Sequence, residues 1–365
     1  MTRLQACLYL RFLPGIGNIT ARKLWEAAGS AEAIFEKPLP LLSENNGFRP
    51  VLLERLKPWK KYTNAVAREE EKIQELQIKT LFLGDPDYPK TLSFCPDAPL
   101  VLFYRGISVF DPRKRISIVG TRSGNAAGEK MCRKLISELQ ALQPTIVSGF
   151  ARGIDIIAHD QALKSELSTI ACMAHGLDRT YPPEHQDYVE KILEQGAFVS
   201  DFTTAEKFDR KNFLIRNRLI AGLSHATVVV QSRLEGGSMI TAHFAHQYQR
   251  ELFAFPGAVT DRLHQGCNAL IHSQQGQLLR DASDLIEAMG WGSQTATPAV
   301  QKQLFVDLSP EEKIIFDHLK SRTADSLDNI ARATNRSVGQ TAALLLQLEM
   351  NGCVKPLPGK FFEWV

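Results

Sequence analysis

Chemistry-bearing side chains crowd most densely into DRKNFLIRNRLIAGLS, residues 209–224, where Arg210, Lys211, Arg216 and Arg218 interleave with Asn212, Phe213 and Asn217. Cations neutralise phosphates, carboxamides bond to backbone or base edges, and an aromatic ring at a loop stacks a base. Interleaved in this way they suit single-stranded nucleic acid, whose bases are free to stack. The competing reading makes Phe213 a simple core residue. A second set, SGFARGIDIIAHDQAL (148–163), falls where an apolar run gives way to a helical pattern. Ser148 and Gly149 end a strand there and offer backbone amides to an anion. Asp155 is placed to cap the helix that Gly153 opens, and Asp155 and His159, at i and i+4, share a face on which they brace the turn. A Ser-His-Asp triad from these residues has no GxSxG elbow to support it.

Two further loops favour anions. In SIVGTRSGNAAGEK, Gly120, Thr121 and Arg122 form a strand-to-helix turn with glycines in a GxxxGxxxG spacing. Arg122 stands where a dinucleotide fingerprint needs its second glycine, and its side chain blocks a pyrophosphate, so neither NAD nor FAD is expected as a cofactor. What remains is a turn whose free amides favour an anion, with an arginine at its tip, or a turn built only for packing. In EGGSMITAHFAHQ, Gly237 and Ser238 head a helix and make an amide nest. His243 and His246 are i and i+3 on it, but no third ligand is near, so no metal is expected. This stretch is faintly like the GGxGTxxE signature of nucleotide phosphoribohydrolases. Met239, Ile240 and His243 replace its glycine, threonine and glutamate, so the acid-base group of that alternative enzyme is absent.

These loops need a scaffold. Between residues 116 and 290, β-branched apolar runs (ISIVG, TIVSG, STIACM, AFVSD, ATVVVQ, LFAFPG) alternate with helical patterns. That alternation predicts an α/β fold, a Rossmann-like doubly wound parallel sheet with its binding loops beyond the carboxyl ends of the strands. KTLFLG and PLVLFYRG add strands ahead of it. Residues 1–75 read as a small helical domain whose PGIG turn joins two helices in the manner of a helix-hairpin-helix or SAM-like domain. Residues 76–290 read as the core, 291–308 as a linker, and 309–365 as a winged helix. The third helix of that last unit, SVGQTAALLLQLEMNG, carries no basic residue, which argues against base reading and so against a transcription regulator.

Composition bounds the rest. The chain has 365 residues, a formal charge of +3 and six cysteines, with no CxxC pair, which argues for reduced thiols. The positive excess is local: 113–122 holds Arg113, Lys114, Arg115 and Arg122 without an acid, and 206–218 holds a second surplus. Localised charge suits an anion site better than a solvated coat. Arg3 and Arg11 interrupt the only apolar candidate near the start, so no signal peptide or membrane span is expected and a cytoplasmic protein is the default.

Taken in order, IVGTR, SGFARGIDIIAH, FLIRNRLIAGLS, EGGSMITA, FPG and GCNALI closely resemble the DprA/Smf family of DNA-processing proteins of natural transformation. The resemblance implies a core that binds single-stranded DNA with little sequence preference, protects it and loads the RecA recombinase onto it. It also implies a homodimer formed through the core and no known catalytic chemistry. Arg122, the amides of Ser148 and Gly149, and Arg210, Lys211 and Phe213 with the following Arg216, Asn217 and Arg218 would form the pocket. Leu214 stands where the family often has proline, and LIHSQQGQ replaces its late LIxxGA.

Overall fold

The computed structural model describes residues 1–36, 48, 50–110, 114–292, 308–322, 324–357 and 359–364. Most of the expected linker and Arg113 of the first basic run lie outside the described residues.

The apolar runs become a nine-stranded sheet in the order β1-β2-β6-β5-β4-β3-β7-β8-β9. β3 (Arg115–Val119), β4 (Thr145–Ser148), β5 (Thr169–Cys172) and β6 (Gly196–Ser200) step outward in one direction, while β7 (Ala226–Val229), β8 (Glu251–Ala254) and β9 (Gln277–Leu278) step outward in the other. All of these pair in parallel. β1 (Lys79–Phe82) and β2 (Val101–Gly106) extend the β6 edge as antiparallel strands, as KTLFLG and PLVLFYRG led one to expect. β3 to β6 are buried at every position, which explains their continuous rather than alternating hydrophobicity.

Helices cover both faces. Among the described residues of the amino-terminal segment are α1 (Arg3–Phe12), α2 (Asn18–Ala28), α3 (Ala33–Glu36), α4 (Pro50–Leu56) and α5 (Thr63–Glu75). α6 (Lys90–Ser93) precedes β2, and the crossovers are α7 (Ala126–Glu138), α8 (Ile154–Lys164), α9 (Val189–Gln195), α10 (Arg210–Gly222), α11 (Gly237–Gln247) and α12 (Gln265–His272). α13 (Ala282–Ala288) follows β9. Cys132, Leu135, Ile154, Ala158 and Leu285 pack one face of the sheet. Leu219, Ala242 and Ala245 pack the other, in one continuous cluster with Leu8, Leu24 and Val66 of the amino-terminal helices. Burial against a common sheet face therefore fixes those helices to the core. Because β3 and β7 are neighbours whose chains run outward in opposite directions, a crevice opens beyond Val119 and Val229, the pair that ends their shared register.

The carboxyl-terminal unit has its own core of Ile315, Leu319, Ile330, Leu345 and Leu348. Its helices are α14 (Pro310–Lys320), α15 (Leu327–Ala333) and α16 (Val338–Met350), followed by a hairpin of β11 (Val354–Leu357) and β12 (Phe361–Trp364), against which β10 (Asp325–Ser326) pairs. Ser309 and Ser337 each close a capping box with Glu312 and Gln340, which explains where α14 and α16 start. Phe361 of the wing meets Phe94, just after α6, at 4.5 Å between ring centres. Among the described residues, no helix is long and apolar enough to cross a membrane.

Candidate nucleic-acid interface

Three loops nest at the crevice because small residues allow it. A Cβ on Gly120 would fall 2.5 Å from Ile154, and Gly153, at φ +75°, would drive one to 2.3 Å from the Thr121 carbonyl. With both positions bare, the Thr121 amide donates to the Gln231 carbonyl at 2.8 Å and the Ile154 amide to the Thr121 carbonyl at 3.3 Å. Asn125 caps α7 by accepting from the Gly128 amide, and Gln231 donates to Asn125 at 2.9 Å. The loop tip, Arg122 and Ser123, is left exposed.

Beyond it lies a cleft of about 570 Å³. Gly120, Thr121, Arg122 and Ser123 form one wall, Phe213, Leu214, Arg216 and Asn217 of α10 another, and Arg233, Glu235, Gly236, Gly237 and Ser238 the third. Gly237 and Ser238 open α11, so their amides lack intrahelical acceptors. Among the described residues, nothing stands within 4 Å of the Cβ position of Gly237, which leaves room for a ligand to approach the backbone. Asn217 donates to the Gly237 carbonyl at 3.1 Å, and Ser238 to Ser232 at 2.8 Å, fixing this turn.

The charge around the cleft is unbalanced towards cations. Arg122 and Arg233 are exposed at its rim, and Arg216 lies buried at its floor, donating to the carbonyls of Gly149 and Cys172. Burial pushes the Arg216 pKa below its ordinary value, and the nearby Asp155 charge offsets this only in part. Asp155 itself, desolvated in the same floor, is pushed up to about 6 in spite of Arg216. Arg210 and Lys211 are exposed in the first turn of α10, which contains no acidic side chain. Cations at a helix amino terminus oppose its dipole, a cost that a bound anion reverses. Asn212 donates to the Lys207 carbonyl and helps hold this turn.

Phe213 is half-buried at the edge of the cleft, with the Arg122 guanidinium 5.5 Å above its ring. It is neither a pure core residue nor an open one. Of the expected residues, the structure thus brings together Gly120, Thr121, Arg122, Phe213, Arg216, Asn217, Gly237 and Ser238, with Arg210, Lys211 and Asn212 on the adjoining turn.

Others are corrected. Ser148 is fully buried and donates its hydroxyl to the Ile118 carbonyl at 2.6 Å. Gly149 is buried against Asp155 and Arg216, whose atoms lie 2.5 to 2.7 Å from its Cβ position, so neither residue reaches a ligand at the cleft surface. Arg218 is two residues from Arg216 and so points to the other side of α10. It pairs there with Asp201, and at 3.8 Å with Asp97, away from the cleft. The Asp155–His159 brace does not form. His159 bonds Thr169 at 2.7 Å between α8 and β5, and burial drives its pKa down to about 3. Asp155 does not cap α8 either, since Gly153 holds the cap position.

Arg233 lines the cleft and escaped the sequence reading, and so did the rings of Tyr181 and Phe208, which pack beside Phe213 without lining the cleft. Arg233 had a signal, a lone cation just ahead of a glycine-rich helix start. Tyr181 comes from a separate loop with no spacing to betray it, while Phe208 lies just ahead of α10 in the same segment as Phe213. His243 is exposed on α11, where it bonds Gln247 and does not line the cleft.

Residues 79–290 match the family model of DNA recombination-mediator protein A, and residues 295–360 that of the DprA winged helix domain. The chain is 31% identical to Protein Smf of Synechocystis sp. over an alignment of 384 residues, covering 96% of each. It is 36% identical over 203 residues to DNA processing protein DprA of Streptococcus pneumoniae, covering 55% of this chain and 71% of the relative. The X-ray structure of the Streptococcus pneumoniae protein superposes with a TM-score of 0.69 at 29% identity, covering 79% of this chain and 98% of that one. A Helicobacter pylori DNA processing protein A, solved for its single-stranded DNA binding mode, superposes with a TM-score of 0.53 at 30% identity, covering 59% and 96%.

Proposed function

The chain belongs to the DNA recombination-mediator protein A family, and from that premise we propose that it holds single-stranded DNA in the cleft beyond β3 and β7, with little sequence preference. The single observation that carries this reading is the surplus of cations around the cleft, Arg122 and Arg233 at its rim and Arg210 and Lys211 on the adjoining turn against Glu235 and Asp155, set around the open amides of α11 and beside an aromatic edge. Phosphates take the arginines and the Gly237–Ser238 amides, while bases turn to the rings. Such contacts read backbone and π-face, which every nucleotide shares.

In this reading the protein is a homodimer working in the cytoplasm. It protects incoming single strands during natural transformation, passes them to a RecA-type recombinase, and performs no covalent chemistry of its own. The test is fluorescence anisotropy with oligothymidine and with duplex of equal length. Oligothymidine binds more tightly, and its log affinity falls by about 0.7 per log unit of salt for each phosphate neutralised. Equal affinity for both overturns the single-strand assignment. Recombinase filament assembly on strands precoated with single-strand-binding protein tests the mediator step, and no acceleration by this chain overturns it.

A further inference from the structure

We propose that the amino-terminal helices carry a second stretch of strand-binding surface, on which Lys60 and Lys61 take phosphates of a single strand that leaves the cleft over Arg210 and Lys211; this rests on single-stranded DNA being the ligand. Residues 54–61, ERLKPWKK, hold four cations and one acid. Glu54 pairs with Lys57 at 2.6 Å, which leaves Arg55, Lys60 and Lys61 without an ion pair among the described residues. The fold holds this run outward. It passes from the end of α4 through a 3₁₀ turn, Lys57–Tyr62, into α5. Trp59 packs edge to face on Tyr9 at 4.8 Å between ring centres and against Phe35 at 5.4 Å, and Tyr62 stacks on Phe12 at 6.4 Å. Those rings pin one side of the turn to α1 and leave Lys57, Lys60 and Lys61 exposed on the other. The Lys60 ammonium stands 5.6 Å above the Trp59 ring, which restricts where it can point. Like charges three and four residues apart on one helical turn repel, a cost that a bound polyanion removes.

A short chain of contacts joins this turn to the cleft. Phe12, on which Tyr62 stacks, follows Arg11, and Arg11 grips Glu206 at 2.7 Å. Lys207 comes next, exposed, and its carbonyl accepts from Asn212 of α10 at 3.1 Å. The basic turn of the amino-terminal helices therefore lies near the turn that presents Arg210 and Lys211. The acids on this route are already engaged, Glu206 by Arg11 and Asp209 by the Lys211 amide that it caps at 2.9 Å. Cations thus continue from Lys211 through Lys207 to Lys61 and Lys60. A single strand offers a phosphate at every nucleotide and bends easily over such a step, whereas a duplex resists bending over so short a path. Contacts of this kind add affinity and carry no base preference. The recognised class is therefore unpaired strand beyond the cleft.

The experiment is fluorescence anisotropy of the full chain with oligothymidine of two lengths, about 5 nucleotides, which fills the cleft alone, and about 20, which reaches past it. On wild type the longer strand shows the steeper salt dependence. Lys60→Ala/Lys61→Ala leaves binding of the short strand unchanged, weakens binding of the long one and makes its salt slope shallower by about 1.4, the effect of two lost phosphate contacts. Lys60→Arg/Lys61→Arg keeps both charges and restores the wild-type slope. An unchanged slope on the long strand overturns the assignment, and so does an equal loss on both lengths, which places the effect in the cleft or in the fold. Wild type that binds neither strand overturns the broader DNA reading instead.

Discussion

α10 serves two regions built from the same side chain type and put to opposite uses. On its cleft side, Arg216 sits under the exposed cations Arg122 and Arg233, and burial leaves its pKa below the ordinary value. On the far side, Arg218 is equally buried, yet the carboxylates of Asp201 and Asp97 overcome desolvation and hold its pKa above the ordinary value. Arg11 joins that network at 3.7 Å from Asp201 and grips Glu206 at 2.7 Å, and Asn18 donates to Asp201 at 3.1 Å. Glu69 accepts from the Thr204 and Ala205 amides, at 2.7 and 3.1 Å. The amino-terminal helices therefore clamp the loop that feeds α10, where charges cancel internally. The cleft end holds more cations than acids, with Arg122, Arg216 and Arg233 set against Asp155 and Glu235. A neutralised cluster contributes to the fold, and an unneutralised one is available to a ligand.

The largest test of that contrast is Arg218→Ala, which leaves the buried Asp201 carboxylate with only the more distant Arg11 and Asn18 and costs about 3 kcal/mol of stability. Chemical denaturation should show that loss, while the fraction that remains folded still binds oligothymidine. Arg122→Ala should do the reverse, keeping the denaturation midpoint and losing about tenfold in affinity, with a salt slope shallower by about 0.7. Equal stability losses in the two variants would erase the distinction.

Smaller effects sharpen it. Lys211→Glu places an acid in the first turn of α10, where the helix dipole favours it by about 0.3–1 kcal/mol. The melting temperature should rise slightly while DNA affinity falls, a trade that only a ligand-facing cation makes. Asp155 gives the smallest signal. Its pKa, raised to about 6 by burial, lies above the unfolded carboxylate value. Its stabilising contribution is thus complete below the unfolded value and is lost as pH rises through about 6. Protonation also removes a negative charge from the cleft floor, so affinity for oligothymidine should increase from pH 7.5 to 5.5. In Asp155→Asn that part of the pH dependence should vanish in anisotropy titrations.

The layered fold was legible because buried parallel strands and amphipathic crossovers write themselves into local hydrophobicity. The crevice was legible because glycines at 120, 153 and 237 mark places where backbone approaches backbone or ligand. The Asp155–His159 pairing failed because i, i+4 spacing fixes a shared helix face and not which neighbours face it. Here Thr169 on β5 claimed the histidine. Ser148 and Gly149 failed because the strand end they terminate lies below the floor made by Arg216. Tyr181 had no local pattern, since a loop distant in sequence brings it to Phe213, whereas Phe208 stands just ahead of the helix that carries Phe213.

By itself, then, the sequence determined the α/β architecture, the capped helices of the carboxyl-terminal unit and the set of residues competent to bind an anion, all consequences of short-range pattern. Only the tertiary structure decided which of those residues remain available. Availability depends on carboxylates and carbonyls contributed from elsewhere in the chain, such as Asp97, 121 residues from Arg218. An arginine binds DNA only where folding has left its charge unanswered.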